Sequence, residues 1–368
     1  MNTKIVNTKT CAGMKIAVIS FTQVGYDLGT RFSGDFGATI QRCPSGGLRE
    51  WAGAHFATCD ALVFISSVGI AVRAIAPFVV SKVSDPAVVV VDEQGRYVIP
   101  ILSGHIGRAN TLARELAHTL GATAVISTAT DTRGVFAVDE WAIGQGLRIA
   151  NPERIKKVSA AILAGRTIRL ASEFPIDGSL PPGVTRDGDR WDVIVTCRTI
   201  NEGDEALHLV PPVVTAGIGC RKGVGADAID AAFCDALHAA GYHPLSVSGV
   251  ASVDLKAGES GLIEFCARRG LDFRTFTAGE LNAVAGDFSG SDFVASVVGV
   301  DNVCERAAVA GSGGYLVAGK KAFGGVTVAL ALREPCLHFT MPGEGGESPG
   351  SPQSESPGGD DPYSLEEG

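Results

Sequence analysis

Short apolar segments alternate with segments of helical periodicity from residue 14 onward, and this alternation constrains the fold more than any other feature. The clearest helix is predicted over Ile106–Leu120, where apolar residues recur with a period of about 3.6 and Gly121 follows as a stop. The apolar run Ala87–Val91 is typical of a strand buried on both faces. Because strands that alternate with helices form layered domains, we predict an α/β fold. The turn at Asp92–Arg96 predicts a hairpin, which would make the sheet mixed.

Changes in composition divide the chain into three domains and a tail. We predict two three-layer α/β domains with mixed or parallel sheets, joined by a small α+β linker domain and followed by a disordered acidic tail. A turn-rich loop marks the linker domain, and proline, glycine, serine and acidic residues mark the tail. The predicted ranges are 14–147 for the N-terminal domain, 148–210 for the linker domain, 211–338 for the C-terminal domain and 341–368 for the tail.

The negative charge of the chain is concentrated in that tail. The formal net charge is −9, and residues 341–368 hold five Glu and two Asp without Lys or Arg, so the tail carries −7 and the rest of the chain the remaining −2. A nearly neutral body excludes the broad basic face that binds duplex nucleic acid. No apolar run reaches the roughly 18–20 residues of a membrane span, and residues 1–13 lack the apolar core of a secretory signal. We therefore expect a cytoplasmic protein with no nucleic-acid partner and no membrane contact.

Nine cysteines are scattered through the sequence, and none forms a CxxC pair. A disulfide scaffold would be smaller and denser in cysteine, and a zinc site would need ligands at closer spacing. We expect buried thiols in a reducing compartment and no metal site in the protein.

A glycine-rich segment with two cations follows a predicted strand near the start of the C-terminal domain. Gly217 and Gly219 would let backbone N–H groups approach a ligand, and Arg221 and Lys222 add positive charge at the head of the next helix. This pattern predicts a pocket for an anion or carboxylate, and a purely structural strand-to-helix turn is the alternative. The fingerprint of dinucleotide sites is broken, because the third glycine stands one position late at Gly223.

A second segment of the same form follows the predicted strand that ends at residue 102. His105 is a candidate general base, since an ordinary imidazole has a pKa of about 6.5. Ser103 is a neighbouring candidate hydroxyl, although no third member of a triad is identifiable. Gly104, Arg108 and Asn110 are candidates for holding substrate at the head of the following helix. The alternative is a histidine that caps the helix or bonds a carbonyl group.

Three further residues are candidates for substrate binding or catalysis, and each has a purely structural role as its alternative. Arg73 lies on a helix after a predicted strand and would bind a carboxylate or remain a solvated surface arginine. Asp131 follows another strand, where it would act at a ligand site or cap a helix. Lys256 stands two residues after Asp254, and on a strand the two would share one face. A lysine there would hold an anion, form an imine or make an exposed salt bridge.

Several long motifs resemble one known family. The resemblance covers about residues 14–336, and the motifs occur in the family's order. They are Val68–Pro77, Lys82–Asp92, Val98–His105, Ala122–Asp131, Gly217–Lys222, Ala251–Lys256 and Gly325–Ala329. These segments resemble the cobalt-precorrin-5A hydrolases of anaerobic cobalamin biosynthesis. One departure is that the family usually has paired glycines after the Ser-Gly-His motif, whereas here Arg108 follows Gly107.

The resemblance implies a reaction on a ring-contracted macrocycle. Water would open the lactone between the ring A acetate and the former meso carbon, and that carbon would leave with its methyl group as acetaldehyde to give cobalt-precorrin-5B. The substrate carries the cobalt, so no cofactor and no metal site in the protein are expected. We assign His105 as the base, Asp131 as the group that orients the histidine or the water, and the amides after Gly104 or Gly217 as oxyanion donors. The cations expected to grip the macrocycle's carboxylates are Arg73, Arg108, Arg221 and Lys222. An imine at Lys256 would be unnecessary, because the macrocycle can accept the electrons.

Two other functions remain open from the sequence. The chain could be a non-enzymatic tetrapyrrole carrier of the same pathway, and an assay of acetaldehyde release would distinguish it. A nucleotide-dependent oxidoreductase is disfavoured by the broken glycine fingerprint. The expected partner is the cobalt-precorrin macrocycle, with transient contact to pathway methyltransferases and a homodimer as further expectations. We expect the glycine-bounded strand ends of both large domains to converge on that macrocycle.

Overall fold

The structure is a computed structural model, and it forms three successive α/β units. It describes residues 11, 13–81, 84–128, 133–201, 203–288 and 302–339. The predicted tail at 341–368 and most of the segment before residue 14 lie outside the described residues. A mixed α/β fold is confirmed, because each unit contains a sheet of five or six strands. Among the helices that the structure describes, none is both long and apolar enough to cross a membrane.

The first unit is a six-stranded sheet in the order β2-β1-β3-β4-β5-β6. β5 pairs antiparallel with β4, and the other neighbours pair parallel, so the predicted hairpin and mixed sheet are confirmed. The elements are β1 (Ile16–Ser20), α1 (Gln23–Ser33), β2 (Thr39–Arg42), α2 (Leu48–Phe56), β3 (Ala61–Ile65), α3 (Val68–Ile75), β4 (Ala87–Val91), β5 (Tyr97–Leu102), α4 (Ala109–Leu120) and β6 (Thr123–Ala124).

Both faces of this first sheet are covered by helices. Val63 of β3 packs with residues of α1 and α4, including Phe32 and Leu112. Its neighbour Leu62 points the other way and packs with residues of α2 and α3, including Trp51. Burial on both faces explains why these strands read as continuous apolar runs rather than as alternating patterns.

The direction of β5 decides which loops share an edge of the sheet. Leu102 at the end of β5 pairs with Val88 at the start of β4. The segment Ser103–Asn110 therefore lies at the edge where β1, β3 and β4 begin, called here the loop edge. The head of α3 follows the end of β3 and lies at the opposite edge.

The second unit has a five-stranded sheet in the order β10-β8-β11-β12-β7. Its hydrophobic core is built from residues between Val138 and Leu209, to which Leu337 and Phe339 are added from the end of the described chain. The elements are α5 (Val138–Gly144), β7 (Arg148–Ile149), a 3₁₀ turn (Pro152–Arg154), α6 (Ile155–Leu163), β8 (Ile168–Ser172), β9 (Ile176–Asp177), β10 (Val184–Thr185), β11 (Val193–Val195) and β12 (Leu207–Val210).

The third unit has a five-stranded sheet in the order β15-β14-β13-β17-β16, where β17 pairs antiparallel with β13. Its elements are β13 (Val214–Cys220), α7 (Ala226–Ala240), a 3₁₀ turn (Pro244–Ser246), β14 (Val247–Val253), a 3₁₀ turn (Asp254–Lys256), α8 (Ser260–Arg269), β15 (Asp272–Phe276), α9 (Ala278–Asn282), α10 (Val303–Ser312), β16 (Tyr315–Phe323) and β17 (Val326–Leu332). α7 and α8 pack in one core cluster of this unit, while α9 and α10 pack in another.

After β17 the chain returns to the second unit. β18 (Leu337–His338) pairs parallel with β9. The indole Nε1–H of Trp141 in α5 donates to the carbonyl oxygen of His338 at 2.8 Å. The Trp141 and Phe339 rings stack with centroids 5.4 Å apart. This segment therefore fixes α5 from the far end of the described chain.

The cysteines are all free thiols, as expected from their spacing, but they are not all buried. Cys336 is exposed, and Cys43, Cys220 and Cys234 are half-buried. Burial raises the pKa of the Cys11, Cys197 and Cys266 thiols to about 12. The expectation of buried thiols is thus wrong for these four cysteines, because their side chains are partly or fully accessible to solvent.

Candidate functional site

The loop at the loop edge is a tight turn built on unusual backbone angles. Ser103 and Arg108 have φ values of 55° and 68°, a left-handed region that side chains other than glycine rarely adopt. The N–H of Ala109 donates to the Ser103 carbonyl at 3.1 Å, and the N–H of Asn110 donates to the Gly104 carbonyl at 2.9 Å. The positive φ explains why the family that this chain resembles usually has glycine where Arg108 stands.

Ser103 anchors this loop to the segment before β4. Its hydroxyl donates to the carbonyl oxygen of Asp85 at 3.0 Å, and its side chain is buried. The Asp85 carboxylate in turn accepts the N–H groups of Val80 and Ser81 at 2.9 and 3.0 Å. The Ser103 hydroxyl therefore anchors the loop, and its part in catalysis stays a prediction.

His105 contacts an acid from the second unit. Its ring Nδ1 lies 3.1 Å from Oδ2 of Asp139, the second residue of α5. The two side chains are only 15% and 7% exposed. Next to this pair, Nη1 of Arg114 in α4 lies 2.9 Å from Oε1 of Glu140. Two adjacent acids of α5 therefore bind the loop edge, one through the histidine and one through an arginine.

Sequence reasoning missed Asp139. It lies in the first turn of α5, where acids are common because they complement the helix dipole. The residues around Asp139 in the sequence do not distinguish an acid that only complements the helix dipole from one that contacts a histidine 34 residues earlier.

A cavity of about 220 Å³ opens at the loop edge. The predicted substrate-binding residues Gly104 and Asn110 line it, together with the anchor Ser103. The buried amide of Asn110 donates to the hydroxyl of Thr128 at 3.1 Å. The remaining lining residues are Pro100, Ile101, Leu102, Ser127 and Thr128. Asp131, which follows this wall, lies outside the described residues.

The two arginines predicted in the first unit occupy different environments. Arg108 is 6% exposed and belongs to the loop itself. Arg73 lies in the last turn of α3, where it is exposed and is not among the residues that line the cavity. Contact of either arginine with a ligand stays a prediction.

Gly217 and Gly219 lie inside β13, whereas the glycine motif predicted that the strand would end at Gly217. The strand continues to Cys220. A Cβ at Gly217 would lie 1.8 Å from the carbonyl oxygen of Cys304 in α10, and one at Gly219 would lie 2.7 Å from Oγ1 of Thr327. The prediction of the strand end was wrong, because the glycines admit the close approach of a helix and a neighbouring strand. Gly217 pairs on both sides in the sheet, so its backbone is not an open ligand surface.

The turn after β13 carries the predicted cations. Arg221 and Lys222 are exposed, and Gly223 has a φ of +79° that suits glycine. The Gly223 N–H donates to Oε1 of Glu259 at 2.8 Å. This turn is therefore ordered by an acid from the following βα connection.

Lys256 forms an ion pair with that same acid. Its Nζ lies 3.0 Å from Oε2 of Glu259, and the two side chains are 18% and 9% exposed. The Gly223 N–H and then Lys256 hold the pKa of the Glu259 carboxyl below its usual range. Lys256 lies on a 3₁₀ turn after β14, so Asp254 and Lys256 do not share one face of a strand. Lys256 does make a salt bridge, but Glu259 is its partner and the pair is largely buried rather than exposed. Contact of Lys256 with a ligand stays a prediction.

The predicted site residues form two groups, one at the loop edge of the first unit and one at the turn after β13 with Lys256 in the third unit.

The third unit contacts the second unit at the opposite end of β14 from Lys256. Nη1 of Arg148 in the second unit donates to the carbonyls of Leu245 and Val247, where β14 begins, at 3.0 and 2.9 Å. Burial lowers the pKa of the Arg148 guanidinium. Lys256 follows the other end of β14, roughly 20 Å along a seven-residue strand. That both groups grip one macrocycle stays a prediction.

One surface cluster within the described residues combines possible metal ligands. Asp177, Cys336 and His338 bring their ligand atoms within 4.8 Å of one another, and all three residues are exposed. The Cys336 thiol lies 3.2 Å from Nε2 of His338, whose Nδ1 lies 3.7 Å from Oδ2 of Asp177. The spacing of the cysteines predicted no metal site in the protein, and metal binding at this cluster would test that prediction.

Three family models match successive parts of the chain. They describe the cobalamin synthesis G N-terminal region at residues 50–131, the cobalamin biosynthesis central region at 136–211 and the cobalamin synthesis G C-terminus at 214–331.

Curated relatives are similar over most of their length. A cobalt-precorrin-5A hydrolase of Salmonella typhimurium is 36% identical over 78% of this chain and 86% of that protein. A cobalt-precorrin-5A hydrolase of Priestia megaterium is 32% identical over 78% of this chain and 82% of that protein. Among solved structures, a putative cobalamin biosynthesis protein G homolog from Sulfolobus solfataricus is 22% identical with a TM-score of 0.36, covering 87% of this chain and 97% of its own.

Proposed function

This chain belongs to the cobalt-precorrin-5A hydrolase family, and from that premise we propose that it opens the ring A lactone of cobalt-precorrin-5A and releases acetaldehyde to give cobalt-precorrin-5B. It is a hydrolase of cobalamin biosynthesis. Two relatives named cobalt-precorrin-5A hydrolase are 36% and 32% identical to this chain, and the match covers 86% and 82% of their lengths. The observation that carries the assignment of a site is the cavity at the loop edge, which is lined by Gly104 and Asn110 of the loop whose His105 is paired with a buried acid.

The size of the cavity limits how the substrate binds. Sites that enclose a drug-sized ligand have volumes of roughly 300–1,000 Å³, and this cavity has about 220 Å³. A tetrapyrrole macrocycle is larger than such a ligand, so only one edge of it would enter. We infer that the lactone enters the cavity and that the flat ring lies across its mouth.

His105 supplies the base in this proposal. It takes a proton from water while the water oxygen bonds to the lactone carbonyl carbon. The protonated His105 then gives that proton to the ring oxygen as the bond between this oxygen and the carbonyl carbon breaks, and the products are an alcohol and a carboxylic acid that ionises in water. The amides after Gly104 are the proposed donors for the developing oxyanion, and the side-chain amide of Asn110, which also donates to Thr128, lies on the cavity wall. The alcohol then loses its proton, the bond to the former meso carbon breaks, and the electron pair passes into the macrocycle as acetaldehyde leaves. Asp131 keeps its predicted part in orienting the water.

The remaining assignments concern the substrate's charges and its metal. Arg221 and Lys222 are exposed cations suited to peripheral carboxylates. The cobalt stays with the substrate, so the proposal needs no cofactor from the protein. Contact with pathway methyltransferases and a second copy of the chain remain predictions.

The test of this function is acetaldehyde release by His105→Ala. We expect the rate with cobalt-precorrin-5A to fall by at least about 10²-fold, the usual contribution of a general base. His118→Ala is the matched control, because that histidine is exposed at the end of α4 on the same connection. Full acetaldehyde release by a folded His105→Ala would contradict the assignment of the base. Wild-type protein that binds the macrocycle without releasing acetaldehyde would favour the carrier.

The anion site is tested separately with Arg221→Ala/Lys222→Ala. We expect weaker binding of the macrocycle and a smaller dependence of affinity on salt, since two cationic contacts are removed. An unchanged affinity with an unchanged salt dependence would contradict the role of this turn.

A further inference from the structure

The side chain of Asp139 is more deeply buried than an ion pair on the protein surface would be. Its side chain is 7% exposed, and Oδ2 lies 3.1 Å from Nδ1 of His105. Its other oxygen, Oδ1, is buried, and no group in the described part of the chain forms a hydrogen bond with it. Buried carboxylate oxygens are normally satisfied, and an exception calls for an explanation beyond packing.

A neighbouring pair already performs the structural task of joining the two units. Glu140 binds Arg114 of α4 at 2.9 Å from the same turn of α5. The helix itself is fixed by Trp141, which donates to His338 and stacks on Phe339. Asp139 is thus held in place by its surroundings, while its carboxylate faces the histidine.

We propose that Asp139 is the positioning residue of His105. Its carboxylate accepts the N–H at Nδ1, so the neutral imidazole keeps its proton there and carries the lone pair on Nε2. Nε2 is then the atom that takes the proton from water. The role of Nε2 as the base rests on the proposed function. The prediction that the ring proton of His105 lies on Nδ1 does not rest on it.

The proposal also assigns the site to two units of the chain. His105 belongs to the loop edge of the first unit, and Asp139 belongs to α5 of the second. The histidine is oriented only where α5 is docked, and the contacts of Trp141 with the 338–339 segment keep α5 there.

The experiment compares Asp139→Asn with Glu140→Gln in the full chain. Asparagine keeps the size of the side chain but can present its NH₂ group to Nδ1, which would move the ring proton to Nε2. Glutamine at 140 breaks the adjacent ion pair and leaves the histidine contact intact, so it is the matched control. ¹⁵N NMR of the histidine ring reports the tautomer, with the His105 signals identified by their loss in His105→Ala.

In wild-type protein we expect the Nδ1–H tautomer at His105. We expect Asp139→Asn to shift it to the Nε2–H tautomer and to lower kcat for acetaldehyde release about 10²-fold with little change in KM. Glu140→Gln should leave the tautomer and kcat unchanged. A tautomer shift in Asp139→Asn together with full activity of His105→Ala would support the positioning contact and overturn only the proposed base.

Three results would overturn the proposal. An Nε2–H tautomer in the wild-type protein would do so without any variant, which keeps the test valid even if Asp139→Asn failed to fold. An unchanged tautomer in a folded Asp139→Asn would do the same. Loss of activity in Glu140→Gln equal to that in Asp139→Asn would show that the acids of α5 act only by joining the units.

Discussion

Replacing Gly217 with alanine separates two roles that a glycine at this position can have, close packing and ligand binding. The new Cβ would lie 1.8 Å from the carbonyl oxygen of Cys304, 2.6 Å from the backbone nitrogen of Ala308 and 2.9 Å from its Cβ. Two of these three atoms belong to the backbone of α10, so no rotation of a side chain relieves the contact. α10 or β13 must move instead.

The size of the effect follows from that displacement. An ordinary contact begins at 3.4 Å, so α10 must shift by about 1.6 Å in a closely packed interior. Overpacking of a core costs about 1–3 kcal/mol, and occasionally more. A backbone clash of this size belongs at the upper end, and we expect Gly217→Ala to lower the free energy of unfolding by at least about 3 kcal/mol.

Gly219→Ala is the matched control on the same strand. Its Cβ would meet only Oγ1 of Thr327 at 2.7 Å, and this hydroxyl can rotate away. The rotation gives up the hydrogen bond from that hydroxyl to the Gly219 carbonyl at 3.2 Å, so we expect a loss of about 1 kcal/mol.

Urea unfolding followed by circular dichroism at 222 nm measures both variants. With a slope of about 2 kcal/mol per molar urea, Gly217→Ala should lower the midpoint by about 1.5 M and Gly219→Ala by about 0.5 M. An unchanged midpoint for Gly217→Ala would refute the packing argument. If that variant also bound the macrocycle more weakly, Gly217 would be a ligand-binding glycine after all.

Three further predictions concern the junction of the second and third units and the surface thiol. Burial lowers the pKa of His243, whose Nδ1 accepts the N–H of Leu245 at 3.1 Å. The unfolded chain therefore takes up the proton first, and stability should fall as the pH drops below about 6.5 toward the lowered folded pKa. His243→Asn keeps the acceptor and should flatten that part of the stability curve between pH 7 and 5, as measured by thermal unfolding. Arg148→Met should destabilise the protein by about 2–3 kcal/mol in urea unfolding, because the buried carbonyls of Leu245 and Val247 lose their donors. Cys336, the exposed thiol, should be alkylated by iodoacetamide before the buried thiols, as followed by mass spectrometry, and equal rates would contradict its exposure.

Local pattern was sufficient to predict most elements of the fold. The strand predicted to end at residue 102 is β5 and does end there, and the helix predicted at Ile106–Leu120 is α4 with a later start. The difference at the start of α4 comes from Ser103 and Arg108, whose positive φ values hold the chain in a turn before the helix. Such backbone angles have no signal in hydrophobic periodicity, which is why the first turn was overextended.

The candidate site was predictable only in its local parts. Gly104, His105 and Asn110 were recognised as the segment between a strand and a helix, and the structure places Gly104 and Asn110 on a cavity beside the histidine's loop. The pairing of Lys256 with Glu259 depends on the 3₁₀ turn that follows β14. The sequence left a strand and a helix open for that segment, so the partner of the lysine could not be predicted from spacing.

Composition and periodicity determined the class of fold, the order of its elements and the segments that carry polar residues between them, because these depend on neighbours in the chain. Tertiary structure alone decided that β5 runs against β4 and takes His105 to the loop edge, that Asp139 of the next unit meets its ring, and that α10 covers Gly217. The physical reason is that such contacts join residues tens of positions apart. Their free energy comes from packing whole sheets and helices together, which no short window of sequence contains.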